Sequence, residues 1–197
     1  MQFTDEWRQL YQPSMEEVRS GRRPWTVLDV LHRESLAKLI GRYAIAGLSE
    51  AEIDHLNRAW HRLDPWPDVV QGLTRLKRRM VIAPCSNGNI ALMVNMAKRA
   101  GLPWDCVLGA ETARAYKPMP EAYLAACRHL GLPPAEVMMV AAHNGDLKAA
   151  KAQGLATGFV PRPTEHGAGQ KTDLVADQSV VDIAASSFVE LAAKLDC

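Results

Sequence analysis

From Pro65 to the C terminus, short apolar runs alternate with helical segments, and this alternation limits the chain to few architectures. The runs MVIAPC, CVLGA, VMMVAA and ATGFV are short and mostly apolar, as buried strands are. The segments between these runs have helical periodicity. Strands that alternate with helices form parallel βαβ units with right-handed crossovers. We therefore predict an α/β fold with a parallel sheet.

The two ends of the chain differ from this alternating middle. Residues 1–65 contain helical patterns and no strand pattern, and Ser49 followed by Glu52 has the spacing of a capping box that opens a helix. The final segment VVDIAASSFVELAAKL, residues 180–195, has amphipathic spacing, and we predict one helix there. The sequence thus predicts a helical domain at 1–65 and an α/β core at 66–197.

Composition narrows the choice of partners and compartment. The 197 residues are 48% hydrophobic and 23% charged, as in a soluble globular protein, and the net charge of +1 gives no reason to expect nucleic acid. No apolar run is long enough to span a bilayer, and the first residues are acidic where a secretory signal is basic. Four scattered cysteines lack metal-site spacing. We expect a cytoplasmic protein with reduced thiols and no membrane partner.

Polar residues follow two of the predicted strands, where parallel sheets bind their ligands. After MVIAPC, Ser86, Asn87 and Gly88 offer a hydroxyl, an amide and backbone N–H groups that suit a carboxylate or phosphate. The alternative is that Ser86 caps the next helix and Gly88 makes the turn. After CVLGA, Lys117 precedes Pro118, and a rigid turn there would point the ammonium at an anion. The alternative is a solvated surface lysine.

A third polar segment follows VMMVAA. Its Asp146 lies where a helix begins, a position that the helix dipole favours for any acid. An aspartate beside a reaction site would instead orient a water molecule or hold a cation. Each of the three segments is a weak signal alone. Their order and their placement after successive strands are much more informative together.

Together these segments resemble a known superfamily. S-N-G, K-P-x-P-x-x-Y and an aspartate followed by x-x-A-A-x-x-x-G are similar to motifs two, three and four of the haloacid dehalogenase (HAD) superfamily. The resemblance covers essentially the whole chain, and WRQLYQ is similar to the cap entry of type II 2-haloacid dehalogenases. It implies a HAD-like Rossmannoid parallel sheet core with an N-terminal helical cap. Pairing of two chains as a homodimer is a further expectation from the resemblance.

The resemblance also implies a reaction, the hydrolytic removal of halide from a small 2-haloalkanoic acid through an aspartyl-ester intermediate. In that chemistry Lys117 keeps the nucleophile ionised and Asp146 helps to activate the hydrolytic water. Substrate binding falls to Ser86, Asn87 and Tyr123. The carboxylate of the substrate would be held by the first two.

Motif four separates dehalogenases from the superfamily's Mg-dependent phosphatases. In the phosphatases this motif resembles G-D-x-x-x-D. With Asp146 as its second aspartate, Ala141 and Ala142 stand where Gly-Asp would be. Mg²⁺ prefers oxygen ligands, which alanine side chains lack. We therefore expect no metal and no cofactor, with Mg²⁺ needed only if the phosphatase alternative holds. His143 stands where the dehalogenases often have asparagine, either as a substituted polar partner that binds substrate or as a surface histidine.

The superfamily's nucleophilic aspartate lies in D-x-x-G-T after the first, central strand, and that motif does not occur here. We expect that this strand is absent from the chain, that two strand edges are left unpaired, and that the chain as given is inactive. Two alternatives stay open. One is a HAD phosphatase-like hydrolase, and the other is a non-catalytic HAD-fold protein that binds a small carboxylate or a partner chain.

Overall fold

The computed structural model describes residues 2–197; Met1, with which the predicted helical domain begins, lies outside the described residues. Residues 2–62 contain helices joined by loops and no strand, as predicted. In chain order they are α1 (Gln2–Gln9), α2 (Tyr11–Arg19), α3 (Leu28–Arg42), α4 (Glu50–Asn57) and a short 3-10 helix (Arg58–Arg62). Among residues 2–197, no helix combines the length and the apolar character that a membrane crossing requires.

Two apolar clusters hold these helices together. Trp7, Leu36, Leu39 and Ile53 are buried against one another, while α2 and α3 pack against Ala110 and Tyr116. The predicted capping box of α4 is confirmed. The Ser49 hydroxyl accepts a hydrogen bond from the Glu52 N–H, and the Glu52 carboxylate accepts one from the Ser49 N–H at 2.8 Å.

The rest of the chain, from residue 63 on, alternates helices and strands. The elements are α5 (Val69–Leu76), β1 (Cys85–Ser86), α6 (Ile90–Ala100), β2 (Leu108–Gly109), α7 (Ala110–Ala113), α8 (Pro120–Leu130), a 3-10 turn (Pro134–Glu136), β3 (Met138–Ala141), α9 (Asn144–Lys151), β4 (Ala156–Phe159), β5 (Ile183–Ala184) and α10 (Phe188–Lys194). Strand β1 pairs with β2, and β3, β4 and β5 form a second sheet in that order. All of these pairs are parallel, with Cys85 opposite Leu108 and Met138 opposite Ala156. The predicted parallel α/β fold is therefore confirmed.

The prediction of one helix at 180–195 is wrong in its first half. Ile183–Ala184 form β5, and α10 begins only at Phe188. The Ser187 hydroxyl accepts the N–H of Glu190 at 3.1 Å, so the helix starts after the two serines. Upstream, the Asp182 carboxylate accepts the N–H of Thr157 at 2.8 Å and fixes this segment beside β4. A strand partner, which local periodicity does not encode, decides the structure here.

An open groove separates the two sheets. Within residues 2–197, no strand ladder joins β1 to β3, and a cavity of about 620 Å³ lies between them. We call it the inter-sheet groove. Its walls are the segment 79–86, which leads into and includes β1, the segment 136–141, which leads into and includes β3, and apolar side chains of α5 and α10. Lys117, Tyr123 and Asp146 also line it. The predicted strand at MVIAPC forms a ladder only at its last residue and Ser86, and the residues before them border the groove.

At two glycines near the groove, the backbone lies in close contact with the backbone of a neighbouring segment. Gly109 has φ +126°, and a Cβ there would lie 2.6 Å from the backbone nitrogen of Ser86. A Cβ at Gly72, on α5, would lie 2.5 Å from the carbonyl carbon of Phe188, at the start of α10. Both positions therefore need glycine, because backbone atoms cannot rotate out of the way as a flexible side chain can.

An ion pair connects the segment before α5 to the segment after β4. The Arg162 guanidinium donates to both carboxylate oxygens of Asp68 at 3.0 Å, and Asp68 also accepts the Phe188 N–H at 2.7 Å. The guanidinium lies 5.4 Å from the ring centre of Trp66 and 5.6 Å from that of Phe188. The pair thus ties α5, α10 and the segment that follows β4 at one point.

Candidate active site

The ends of β1 and β3 bring together residues that are far apart in the chain. The Lys117 ammonium donates to one carboxylate oxygen of Asp146 at 2.6 Å, and the Tyr123 hydroxyl donates to the other at 2.6 Å. Tyr123 is buried, and burial, followed by its hydrogen bond to Asp146, raises the pKa of its hydroxyl far above the usual range. Tyr123 is therefore a neutral donor at any ordinary pH.

This network limits what Asp146 can do chemically. Both of its oxygens accept short hydrogen bonds, one of them from a cation, and its side chain is only 15% exposed. A carboxylate with its charge neutralised in this way is a poor nucleophile, but it is well placed to orient a polar molecule.

The segment after β1 lies beside this network. The Ser86 hydroxyl accepts the N–H of Gly88 at 3.0 Å, which supports the turn between β1 and α6. The Asn87 amide oxygen accepts the Lys117 N–H at 2.8 Å, and its nitrogen donates to the Tyr11 hydroxyl at 3.2 Å. The Asn87 side chain therefore holds in place the turn that contains Lys117, which we call the lysine turn.

Two residues of α2 complete the site, and the sequence did not single them out. Besides its contact with Asn87, Tyr11 is buried enough that the pKa of its hydroxyl is raised. Arg19 donates to the backbone carbonyl of Lys117 at 2.9 Å. Tyr11 belongs to the WRQLYQ segment, which was the one available signal. The N-terminal helical region, residues 2–62, thus contacts the lysine turn directly.

His143, the remaining predicted site residue, has its hydrogen-bond partner outside the Lys117–Asp146–Tyr123 network. Its Nε2 lies 2.9 Å from a carboxylate oxygen of Glu165. This hydrogen bond is the main reason that the pKa of His143 is raised and that of Glu165 is lowered. Arg8 lies 3.9 Å from the other oxygen of Glu165. No sequence pattern around Glu165 indicated its contact with His143.

The residues at the ends of β1 and β3 do not fit the Mg²⁺ that the superfamily's phosphatases hold. The two oxygens of Asp146 already accept an ammonium and a hydroxyl. Ala141 and Ala142 offer no side-chain oxygen, and Mg²⁺ requires nearly octahedral oxygen coordination.

Known proteins similar to this chain agree with one another. Residues 5–154 match the family described as haloacid dehalogenase-like hydrolase. The fold superposes on an L-2-haloacid dehalogenase with 51% identity and a TM-score of 0.94, covering 98% of this chain and 85% of the other. A defluorinating L-2-haloacid dehalogenase gives 50% identity and a TM-score of 0.95, covering 99% and 80%.

Curated relatives point in the same direction over shorter spans. An (S)-2-haloacid dehalogenase of Xanthobacter autotrophicus is 31% identical over 134 residues, which is 66% of this chain and 51% of that protein. An (S)-2-haloacid dehalogenase 4A of Burkholderia cepacia is 35% identical over 97 residues, which is 48% of this chain and 42% of that protein. The chain spans about half the length of the curated relatives it matches.

Proposed function

Because this chain belongs to the haloacid dehalogenase-like hydrolase family, we propose that it provides most of a 2-haloacid dehalogenase, a hydrolase that acts on the carbon–halogen bond of a small 2-haloalkanoic acid. The observation that carries the proposal is the Lys117–Asp146–Tyr123 network, which lines an open groove between two parallel sheets. Similarity to haloacid dehalogenases at about half identity over nearly the whole chain supports the same reaction.

In this proposal, a strand that is not among these 197 residues occupies the inter-sheet groove and carries the nucleophilic carboxylate at its carboxyl end. Three observations support this arrangement. The groove is bordered by β1 and β3, its walls are mainly apolar, and it reaches the Lys117 ammonium. Asp146 is poorly suited to be the nucleophile itself, because both of its oxygens already accept hydrogen bonds.

The reaction then has two displacements. A carboxylate oxygen attacks the carbon that bears the halogen, a C–O bond forms as the carbon–halogen bond breaks, and halide leaves with the electron pair. Water next attacks the carbonyl carbon of the ester. The alkoxide that leaves takes one proton from that water and becomes the 2-hydroxy acid, while the second proton goes to solvent as the carboxylate is restored.

The predicted site residues receive roles that fit their contacts. Lys117 stabilises the ionised nucleophile, and Asp146, held by Tyr123, orients the hydrolytic water. Ser86 and Asn87 bind the carboxylate of the substrate beside the lysine turn. His143 borders the site as a polar partner. This chemistry uses no metal.

The assembly around the site is also part of the proposal. Residues 1–65 act as the cap domain over a core formed by residues 66–197, since α2 reaches the lysine turn through Tyr11 and Arg19. A homodimer is the proposed assembly of the complete enzyme, and light scattering on purified protein measures it.

A chimera tests the function. It carries, ahead of residue 1, the N-terminal segment of the 51% identical L-2-haloacid dehalogenase up to the point where the two chains align. Chloride release from 2-chloropropionate is measured for the chimera, for the 197-residue chain, and for a chimera whose added D-x-x-G-T aspartate is changed to asparagine. We expect chloride release from the chimera that keeps this aspartate, and none from the 197-residue chain or from the asparagine variant.

Other outcomes separate the alternatives. Ordinary turnover by the 197-residue chain alone would show that the nucleophile lies within it and would refute the role given to the groove. Mg²⁺-dependent hydrolysis of p-nitrophenyl phosphate by the chimera, without chloride release, would favour the phosphatase alternative. A chimera that binds 2-chloropropionate without turning it over would favour the non-catalytic alternative.

A further inference from the structure

A cluster of three potential metal ligands lies beside the candidate active site. His143, Glu165 and His166 each offer one ligand atom, and these atoms all lie within 4.8 Å of one another. His143 directly precedes α9, whereas Glu165 and His166 belong to the long segment between β4 and β5. Two imidazoles and one carboxylate that converge from separate parts of the chain form the donor set of a transition-metal site.

The spacing of the ligand atoms can be compared with the spacing around a bound ion. In a tetrahedral zinc site with bonds of about 2.0–2.1 Å, neighbouring ligand atoms lie about 3.3 Å apart. The Nε2 of His143 and the nearer Glu165 oxygen are 2.9 Å apart. The His143 and His166 rings are nearly parallel, 2° between planes, with centres 6.3 Å apart. The cluster therefore needs to contract by at most about 1.5 Å. His166 is exposed and has room to make that movement.

The segments that carry the ligands are already fixed to each other. The Asn144 N–H donates to Asp173 at 2.8 Å, and the Asn144 side chain accepts the Asp177 N–H at 2.8 Å and donates to the Val175 carbonyl at 2.9 Å. These hydrogen bonds attach the long segment to the residue that follows His143. Supporting contacts of this kind hold metal ligands in place before the ion binds.

We propose that His143, Glu165 and His166 bind one divalent transition-metal ion of the Zn²⁺ class. Imidazole nitrogens select Zn²⁺, Ni²⁺ or Cu²⁺ over Mg²⁺ and Ca²⁺, which require oxygen ligands. Three protein ligands leave a coordination position open for water. The ion replaces the hydrogen bond between His143 and Glu165 and fastens the long segment to His143, three residues before Asp146. This site shares His143 with the residues that border the candidate active site, but it uses none of the atoms of the Lys117–Asp146–Tyr123 network.

The experiment measures metal binding directly, without a haloacid. The 197-residue chain, with any purification tag removed and its thiols alkylated, is titrated with Zn²⁺ by calorimetry and with Co²⁺ by visible absorption. We expect one ion per chain with micromolar affinity. His166→Asn and Glu165→Gln should each weaken binding by about tenfold or more, since even the loss of an outer partner of a ligand costs that much. The control is His129→Asn, which removes an exposed histidine on α8 and should leave the affinity unchanged.

Three results would overturn the proposal. They are an affinity weaker than millimolar, an affinity that neither His166→Asn nor Glu165→Gln changes, and an equal loss in His129→Asn. Far-UV circular dichroism of each variant shows whether the fold is kept. Because His166 and Glu165 are not in the apolar core, a weakened affinity with an unchanged spectrum is assigned to the lost ligand.

Discussion

Replacing Asp146 with asparagine should destabilise the fold markedly. Asp146 accepts two hydrogen bonds of 2.6 Å, and hydrogen bonds to charged groups contribute about 1.5–3 kcal/mol each. Asparagine keeps one acceptor, turns an N–H group toward the other donor, and leaves the Lys117 ammonium, 18% exposed, without its counter-charge. We expect the free energy of unfolding to fall by about 2–4 kcal/mol. At about 2–4 °C per kcal/mol for a chain of this size, Tm should drop by about 4–16 °C in a calorimetric scan at neutral pH.

The matched control is Asp64→Asn. Asp64 pairs with Arg99 at 2.9 Å, but the two side chains are 79% and 47% exposed. Exposed ion pairs contribute about 1 kcal/mol or less, so Tm should change little. If Asp146→Asn lowers Tm no more than Asp64→Asn does, or raises it, the network does not stabilise the protein and the reasoning above is refuted.

Three further changes test other features of the fold by urea unfolding. Gly109→Ala should lower the free energy of unfolding by about 2–5 kcal/mol, because φ is +126° and the new Cβ would meet the Ser86 backbone. Gly145→Ala is the control, since the space around Gly145 is open, and its free energy of unfolding should stay within about 1 kcal/mol of the wild type. His32→Phe should flatten the acid side of the stability profile. Burial lowers the pKa of His32 from 6.5 to about 4, so only the unfolded chain takes a proton between these values, and stability falls by about 3 kcal/mol as pH drops through them. Arg162→Lys should lower the free energy of unfolding by about 1–3 kcal/mol, because lysine cannot make the bidentate, stacked contact that Arg162 makes with Asp68 and the neighbouring rings.

Each of these predictions has an outcome that contradicts it. Equal losses at Gly109 and Gly145 would mean that the close approach to Ser86 is not rigid. The same pH dependence in the wild type and in His32→Phe would show that His32 takes up its proton in the folded protein. An Arg162→Lys variant within about 0.5 kcal/mol of the wild type would place that ion pair among the ordinary surface pairs.

The sequence predicted that Ser86, Lys117 and Asp146 would lie near one another, but not the hydrogen bonds that connect the candidate site residues. Ser86, Lys117 and Asp146 were predictable because each follows a predicted strand, and parallel strands end at the same edge of a sheet. The donors to Asp146 were not predictable, since Lys117 and Tyr123 lie 29 and 23 residues from it. Tyr11 and Arg19 contact residues 76 and 98 positions away, and no local pattern encodes contacts over such distances.

Elements with a strong local signal were predicted well, and those that depend on a distant partner were not. The capping box at Ser49 and Glu52 is decided within four residues, and it formed as expected. The segment around Ile183 has helical periodicity, but it pairs with β4 because Asp182 and Thr157 bind each other's N–H groups. The apolar run that begins at Met80 has a strand pattern, yet only its end finds a neighbouring strand.

The inter-sheet groove should affect how parts of the protein open locally. Across it, Ile82 and Val140 belong to one apolar cluster, and Lys117 and Tyr123 donate hydrogen bonds to Asp146, so side-chain contacts without a strand ladder connect the two sheets among the described residues. Packing without a shared ladder permits each sheet to open by itself, below the free energy of global unfolding. Amide hydrogens near β1 and near β3 should then exchange with deuterated solvent as two kinetic groups. A strand bound to both edges would merge these groups into one unit with a single, slower exchange rate.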